Sequence, residues 1–71
     1  MTLEQYLREK ATPYRGGRML GRVSIEEAAT AIGSQPFKVS LALQFMRESG
    51  ELENLKIGGL DGQTAIYMVA A

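Results

Sequence analysis

A chain of 71 residues with zero net charge, no cysteine and no histidine makes one small domain and excludes several kinds of chemistry. Disulfides and thiolate metal sites are ruled out, as are the commonest general base and the commonest zinc ligand. No apolar run nears membrane-spanning length, and the first ten residues are already charged and amphipathic, so a soluble cytoplasmic protein with no membrane segment is expected.

The charge is unevenly spread. Residues 1–22 carry Arg8, Lys10, Arg15, Arg18 and Arg22 against Glu4 and Glu9, a balance of +3. Residues 23–71 carry Lys38, Arg47 and Lys56 against Glu26, Glu27, Glu48, Glu51, Glu53 and Asp61, a balance of −3. Such an asymmetry can orient a protein on a polyanion or on a second copy of itself.

In chain order, Thr2 and Gln5 form a capping box that predicts a helix over about residues 2–11, with Leu3, Tyr6 and Leu7 as its apolar stripe. Pro13 disfavours helix in the residue before it, which sets the end by Thr12. So short a helix must pack on later ones, and Leu41 or Phe45 are its expected partners. Residues 12–22 follow as a basic, glycine-loosened loop containing Gly16, Gly17 and Gly21 with Arg15, Arg18 and Arg22. The glycine spacing from Gly16 to Gly21 is that of a phosphate-binding loop. Arg22-Val23 stands where Lys-Ser/Thr would contact phosphate and magnesium, however, and that reading is rejected. A lone Arg-Gly-Gly at 15–17 is likewise too short for an RNA-binding repeat. Two readings remain: a loop, with Tyr14 beside it, suited to phosphate backbone or a minor groove, and a solvated loop whose arginines pair with the acidic half.

Residues 21–24 predict a short strand leading into two helices over residues 24–49. Ser24 and Glu27 form a second capping box, Ile25, Ala28, Ala29 and Ile32 recur at helical spacing, and Gly33 suits a left-handed stop. Ser34 offers an N-cap and Pro36 a first-turn residue for the second helix, over residues 35–49. There Val39, Ala42, Leu43 and Met46 centre an apolar face, which Leu41 and Phe45 widen. The opposite arc shows Phe37, Ser40, Gln44, Arg47 and Glu48. Gln44 suits adenine, Arg47 guanine or phosphate, and Ser40 either. After Gly50, residues 51–70 predict a hairpin with Leu52, Leu55 and Ile57 in one arm and residues 65–69 in the other. Glycines at 58, 59 and 62 frame its turn.

The run from Ser24 to Gly50, with the small Ala29, the turn glycine Gly33 and the apolar Val39, resembles the helix-turn-helix of winged-helix transcription regulators. The likeness extends to the strand before Ser24 and the hairpin after Gly50. It implies an α+β fold: a winged helix-turn-helix with three helices, a short strand and a C-terminal two-stranded wing, in one domain over residues 1–71. It implies a sequence-specific regulator of transcription that reads the major groove of double-stranded DNA with the 35–49 helix, acting as a homodimer. The candidate nucleic-acid contacts are Arg15, Arg18 and Arg22 in the loop, Gln35, Phe37, Lys38, Ser40, Gln44 and Arg47 in the helix, and Lys56 in the hairpin. The wing departs from the family's pattern, because Leu60 and Asp61 stand at its tip in place of Lys or Arg.

Catalysis is not expected, since Glu26 and Glu27 diverge by about 100° on a helix and no nucleophile–base pair or metal-ligand spacing appears. No cofactor or small-molecule ligand is implied. The rival expectation is the same fold used as a protein interaction or assembly module that does not bind DNA. Zero net charge, the acidic wing, Phe37 on the outer arc and the Leu41/Phe45 flank favour it. For Leu41 and Phe45 a place in the core under the first helix is the preferred expectation over an interface.

Overall fold

In a computed structural model, which describes residues 1–59 and 62–71, the chain forms three helices and a four-stranded antiparallel sheet. Leu60 and Asp61, and with them the expected acidic tip, lie outside the described residues. The elements in order are α1 (Leu3–Lys10), β1 (Thr12–Pro13), β2 (Arg18–Ser24), α2 (Ile25–Ile32), α3 (Pro36–Glu48), β3 (Glu53–Gly58) and β4 (Thr64–Ala70).

The helix ends obey local rules. Thr2 caps α1 with both halves of the box: its hydroxyl accepts from Gln5 N–H at 3.2 Å, and Gln5 Oε1 accepts from Thr2 N–H at 2.9 Å. At α2 only the Ser24 half forms, its Oγ accepting from Glu27 N–H at 3.4 Å, since Ser24 is still the last residue of β2, opposite Thr64. Gly33 ends α2 at φ 70, and Ser34 N–H reaches back to Ala29 O at 2.8 Å. Gly50 repeats that closure after α3 at φ 86, with Glu51 N–H on Met46 O at 2.9 Å. In both, a residue without Cβ takes the left-handed position and the last carbonyls find donors. Ser34 is not the cap of α3. Gln35 holds that place without a side-chain hydrogen bond, and Pro36 opens the helix.

The 12–22 segment departs from expectation. It is no irregular loop but a hairpin, β1 with β2, turning through Gly16 and Gly17 at φ 67 and 71. Tyr14 N–H on Arg18 O at 2.9 Å closes it. The predicted strand at 21–24 therefore starts at Arg18. The reason is tertiary: β4 offers a partner for every residue from Arg18, opposite Ala70, to Ser24, opposite Thr64, and this ladder outweighs the local glycine content. Pro13 is tolerated because β1 is an edge strand.

The sheet order is β1-β2-β4-β3. Along β2 and β4, Val23, Ala65, Tyr67 and Val69 alternate inward and join Leu7, Ile25, Ala28, Ala29, Val39, Leu43, Leu52 and Leu55 in one core. A bulge in β3 sets Asn54 and Leu55 between the pairs Glu53–Met68 and Lys56–Ile66, with Asn54 at φ 52. The extra residue lets Leu55 turn in while Lys56 stays out.

Tyr67 joins α1 to the sheet. Its ring lies over Gly21, its cross-strand partner, and its hydroxyl donates to Leu7 O at 2.6 Å. That carbonyl belongs to the last turn of α1, where no further helical N–H follows to bond it. Burial, and secondarily the nearby Tyr6, push the Tyr67 phenol from 10.0 up to about 12. A folded value above the unfolded one means that this contribution to stability is complete below pH 10 and is lost as pH rises towards 12. The slope is at most about 1.4 kcal/mol per pH unit. Urea midpoints measured from about pH 9 to 12 are expected to fall less steeply in Tyr67→Phe than in the parent.

Candidate functional site

On α3 the side turned to the core carries Val39 and Leu43, both buried, with Ala42 and Met46 half-buried beside them. At 100° per residue, Leu41 falls about 160° from Val39, and Phe37 and Phe45 follow it at four-residue spacing. Phe37 is 58% exposed, Leu41 61% and Phe45 73%. These three form a single apolar row along the outside of the helix. The expectation that Leu41 and Phe45 lie under α1 is therefore corrected: α1 packs on β2 and α2, through Tyr6 and Leu7, and leaves that side of α3 uncovered.

Nine of the ten candidate contacts separate into two surfaces, and Arg15 lies apart in a turn. Gln35, Phe37, Lys38, Gln44 and Arg47 are exposed on or beside α3, and Ser40 is half-buried. Ser40 also lines a shallow depression with Pro36, Phe37, Leu41 and Gln63, the residue just before β4. Arg18, Arg22 and Lys56 stand instead on the sheet face turned away from the helices: Arg22 and Lys56 flank Ile66 on either side of β4, and Arg18 pairs with Glu53 across it. Arg15, in the β1–β2 turn, lies 5.2 Å from the centroid of the Tyr14 ring and donates to its hydroxyl at 3.3 Å. Of the arginines expected to accompany α3 onto a phosphate backbone, Arg18 and Arg22 are thus strand residues on the sheet face turned away from the helices, and Arg15 lies in a turn.

This division decides the electrostatics. The helix pair α2–α3 carries Lys38 and Arg47 against Glu26, Glu27 and Glu48, a balance of −1. Cations concentrate on the outer sheet face, where Arg18, Arg22 and Lys56 oppose Glu53. The signal for the row on α3 was present in the spacing 37, 41, 45. The reading in which the arginines of residues 12–22 pair with the acidic half holds for Arg18, but the sequence did not single out Glu53, 35 residues away, as its partner.

A cavity of about 230 Å³ lies between α1, the end of α3 and β4, with Glu4, Arg8 and Glu51 among its lining residues. Arg8 Nη1 is engaged there, donating to Ala70 O at 2.9 Å. The space is smaller than the ~300 Å³ at which small-molecule sites begin. Among the described residues no cluster of three acidic side chains could hold a metal ion, and no helix is long and apolar enough to cross a membrane. Compared with protein-family models, with curated proteins and with solved structures, the chain matches none.

Proposed function

We propose that the chain is a winged-helix domain used as a protein-docking module, with the outer face of α3 receiving the partner. The fold assignment is supported by topology: β2 enters the α2–α3 pair, and β4 returns between β2 and β3, the order expected of a winged helix with its hairpin. β1 is an addition at the sheet edge. The observation that carries the functional reading is the uncovered row Phe37–Leu41–Phe45. Large side chains left in water along one helix face are characteristic of a surface completed by another protein. A duplex asks for the opposite, a helix flanked by cations, and here Arg18, Arg22 and Lys56 lie on the far face of the sheet.

A second reading, a sequence-specific DNA-binding regulator, is favoured by one observation: Gln44 and Arg47 stay open to solvent beside the half-buried Ser40. In that case Gln44→Ala or Arg47→Ala costs about 1–3 kcal/mol at a cognate site. One experiment separates the two. A photo-reactive residue in place of Leu41, activated in living cells, is expected to give protein adducts of defined mass. A random duplex pool at two salt concentrations is expected to show no salt-sensitive retention. Nucleic-acid adducts, or retention that Arg47→Ala abolishes, overturn docking in favour of DNA.

A further inference from the structure

Resting on the docking assignment, we propose that the occupant of the α3 face is a second copy of this chain, its α3 antiparallel to the first about a two-fold axis at Leu41. A two-fold interface must be self-complementary, with residue i meeting j and j meeting i. The exposed row has that property: an aromatic at 37, leucine at 41 and an aromatic at 45, equally spaced. An axis at Leu41 sets Phe37 against the partner's Phe45 at both ends and leucine on leucine at the centre.

Charge points to the same arrangement. The first turn of α3 holds no acidic residue, its Gln35 cap makes no side-chain hydrogen bond, and Lys38 adds positive charge to the already positive helix terminus. At the other end Glu48 and, just beyond, Glu51 add negative charge, which Arg47 only partly offsets. Within one chain these charges oppose the helix dipole. An antiparallel copy brings the partner's Glu48 to the level of residue 34, about 6 Å along the axis from Lys38. There each end finds its opposite.

The area is sufficient for a reversible dimer. At the observed exposures the three side chains offer roughly 350 Å² per copy. With Pro36, Lys38, Gln44 and Glu48 around them, the 13-residue helix approaches the lower limit of specific interfaces, about 1,200 Å² in total. An association that depends on concentration follows, and it occupies the side of α3 that a DNA groove would need.

Sedimentation equilibrium of the full chain from about 1 μM to 1 mM tests this, the range spanning weak to moderate association. The mass is expected to rise from 7.8 kDa towards twice that value. Leu41→Glu, which sets two carboxylates against each other on the axis, is expected to weaken association about 100-fold or more. Leu41 is exposed, so circular dichroism of that variant should stay native. Lys38→Glu and Glu48→Lys should each weaken the dimer about two- to fivefold, and the double exchange should restore it, which an antiparallel pairing of the two helices requires and a parallel one does not. A monomer throughout, a dimer indifferent to Leu41→Glu, or a double exchange without recovery overturns the proposal. A monomer whose position 41 crosslinks to a different protein removes the self-pairing alone. Nucleic-acid adducts at position 41 remove the docking assignment as well.

Discussion

Leu43→Ala is expected to lower the unfolding free energy by about 2–5 kcal/mol, while Leu41→Ala, two residues earlier, changes it by no more than about 0.5 kcal/mol. Leu43 has no exposed surface and sits among Ala28, Ala29, Val39 and other core residues, so its removal leaves a cavity lined by groups that cannot all close in. Leu41 is 61% exposed and leaves no void when shortened. A domain of this size has a total stability of about 4–10 kcal/mol, so the first variant approaches the limit of folding. Urea titration far below any associating concentration separates the two, because dimerisation would add a mass-action term to Leu41. Equal losses would mean that α3 is rotated about its axis from the orientation described.

Gly21→Ala is expected to cost about 2–5 kcal/mol and to lower Tm by some 10–30 °C. A Cβ at position 21 would stand 2.3 Å from the Cζ and the hydroxyl oxygen of Tyr67, far inside contact distance. The ring cannot step aside cheaply: it is wholly buried, and its hydroxyl is held by Leu7 O. Moving it loses that bond and leaves a carbonyl at the end of α1 without a donor. Combined with Tyr67→Phe, which removes the hydroxyl, Gly21→Ala should cost less than the sum of the single changes. Strict additivity, read from denaturant midpoints, would deny the contact. Gly21 thus acts through close approach, whereas Gly33 and Gly50 act through backbone conformation, with φ of 70 and 86 and open space around them.

The features legible in the sequence are those that depend on neighbours along the chain. Thr2 with Gln5, Gly33 and Gly50 mark helix ends because capping and the left-handed turn involve groups a few residues apart. Ile25, Ala28 and Ala29 are buried where their spacing placed them. Pro36 opens α3 as its fixed φ and missing N–H allow. Residues 12–22 read as a loop in the sequence because glycine and arginine content is a local property. A strand exists there because β4, more than forty residues on, supplies its hydrogen bonds.

The candidate site was legible in part. Gln44 and Arg47 lie outside, as helical periodicity requires, with Ser40 half-covered. Leu41 and Phe45 were assigned to the core on their hydrophobicity, although their angular position already set them apart from Val39 and Leu43. Apolar character states what a side chain gains by burial and says nothing of what is available to bury it.

By itself the sequence determined three helices and most of their ends, the Ser34 cap of α3 excepted, with the C-terminal hairpin, a single small core and the absence of cysteine and histidine chemistry, since capping, turns and side-chain inventory act over short range. The tertiary structure alone decided that Tyr67 closes over Gly21 and caps α1, that Glu53 is the residue that holds Arg18, and that Arg18 and Arg22 lie on the sheet face turned away from the helices. It also left Leu41 and Phe45 uncovered beside Phe37, because α1 packs on β2 and α2 instead. Which surfaces cover one another depends on contacts between residues tens of positions apart, and spacing along the chain does not encode those one pair at a time.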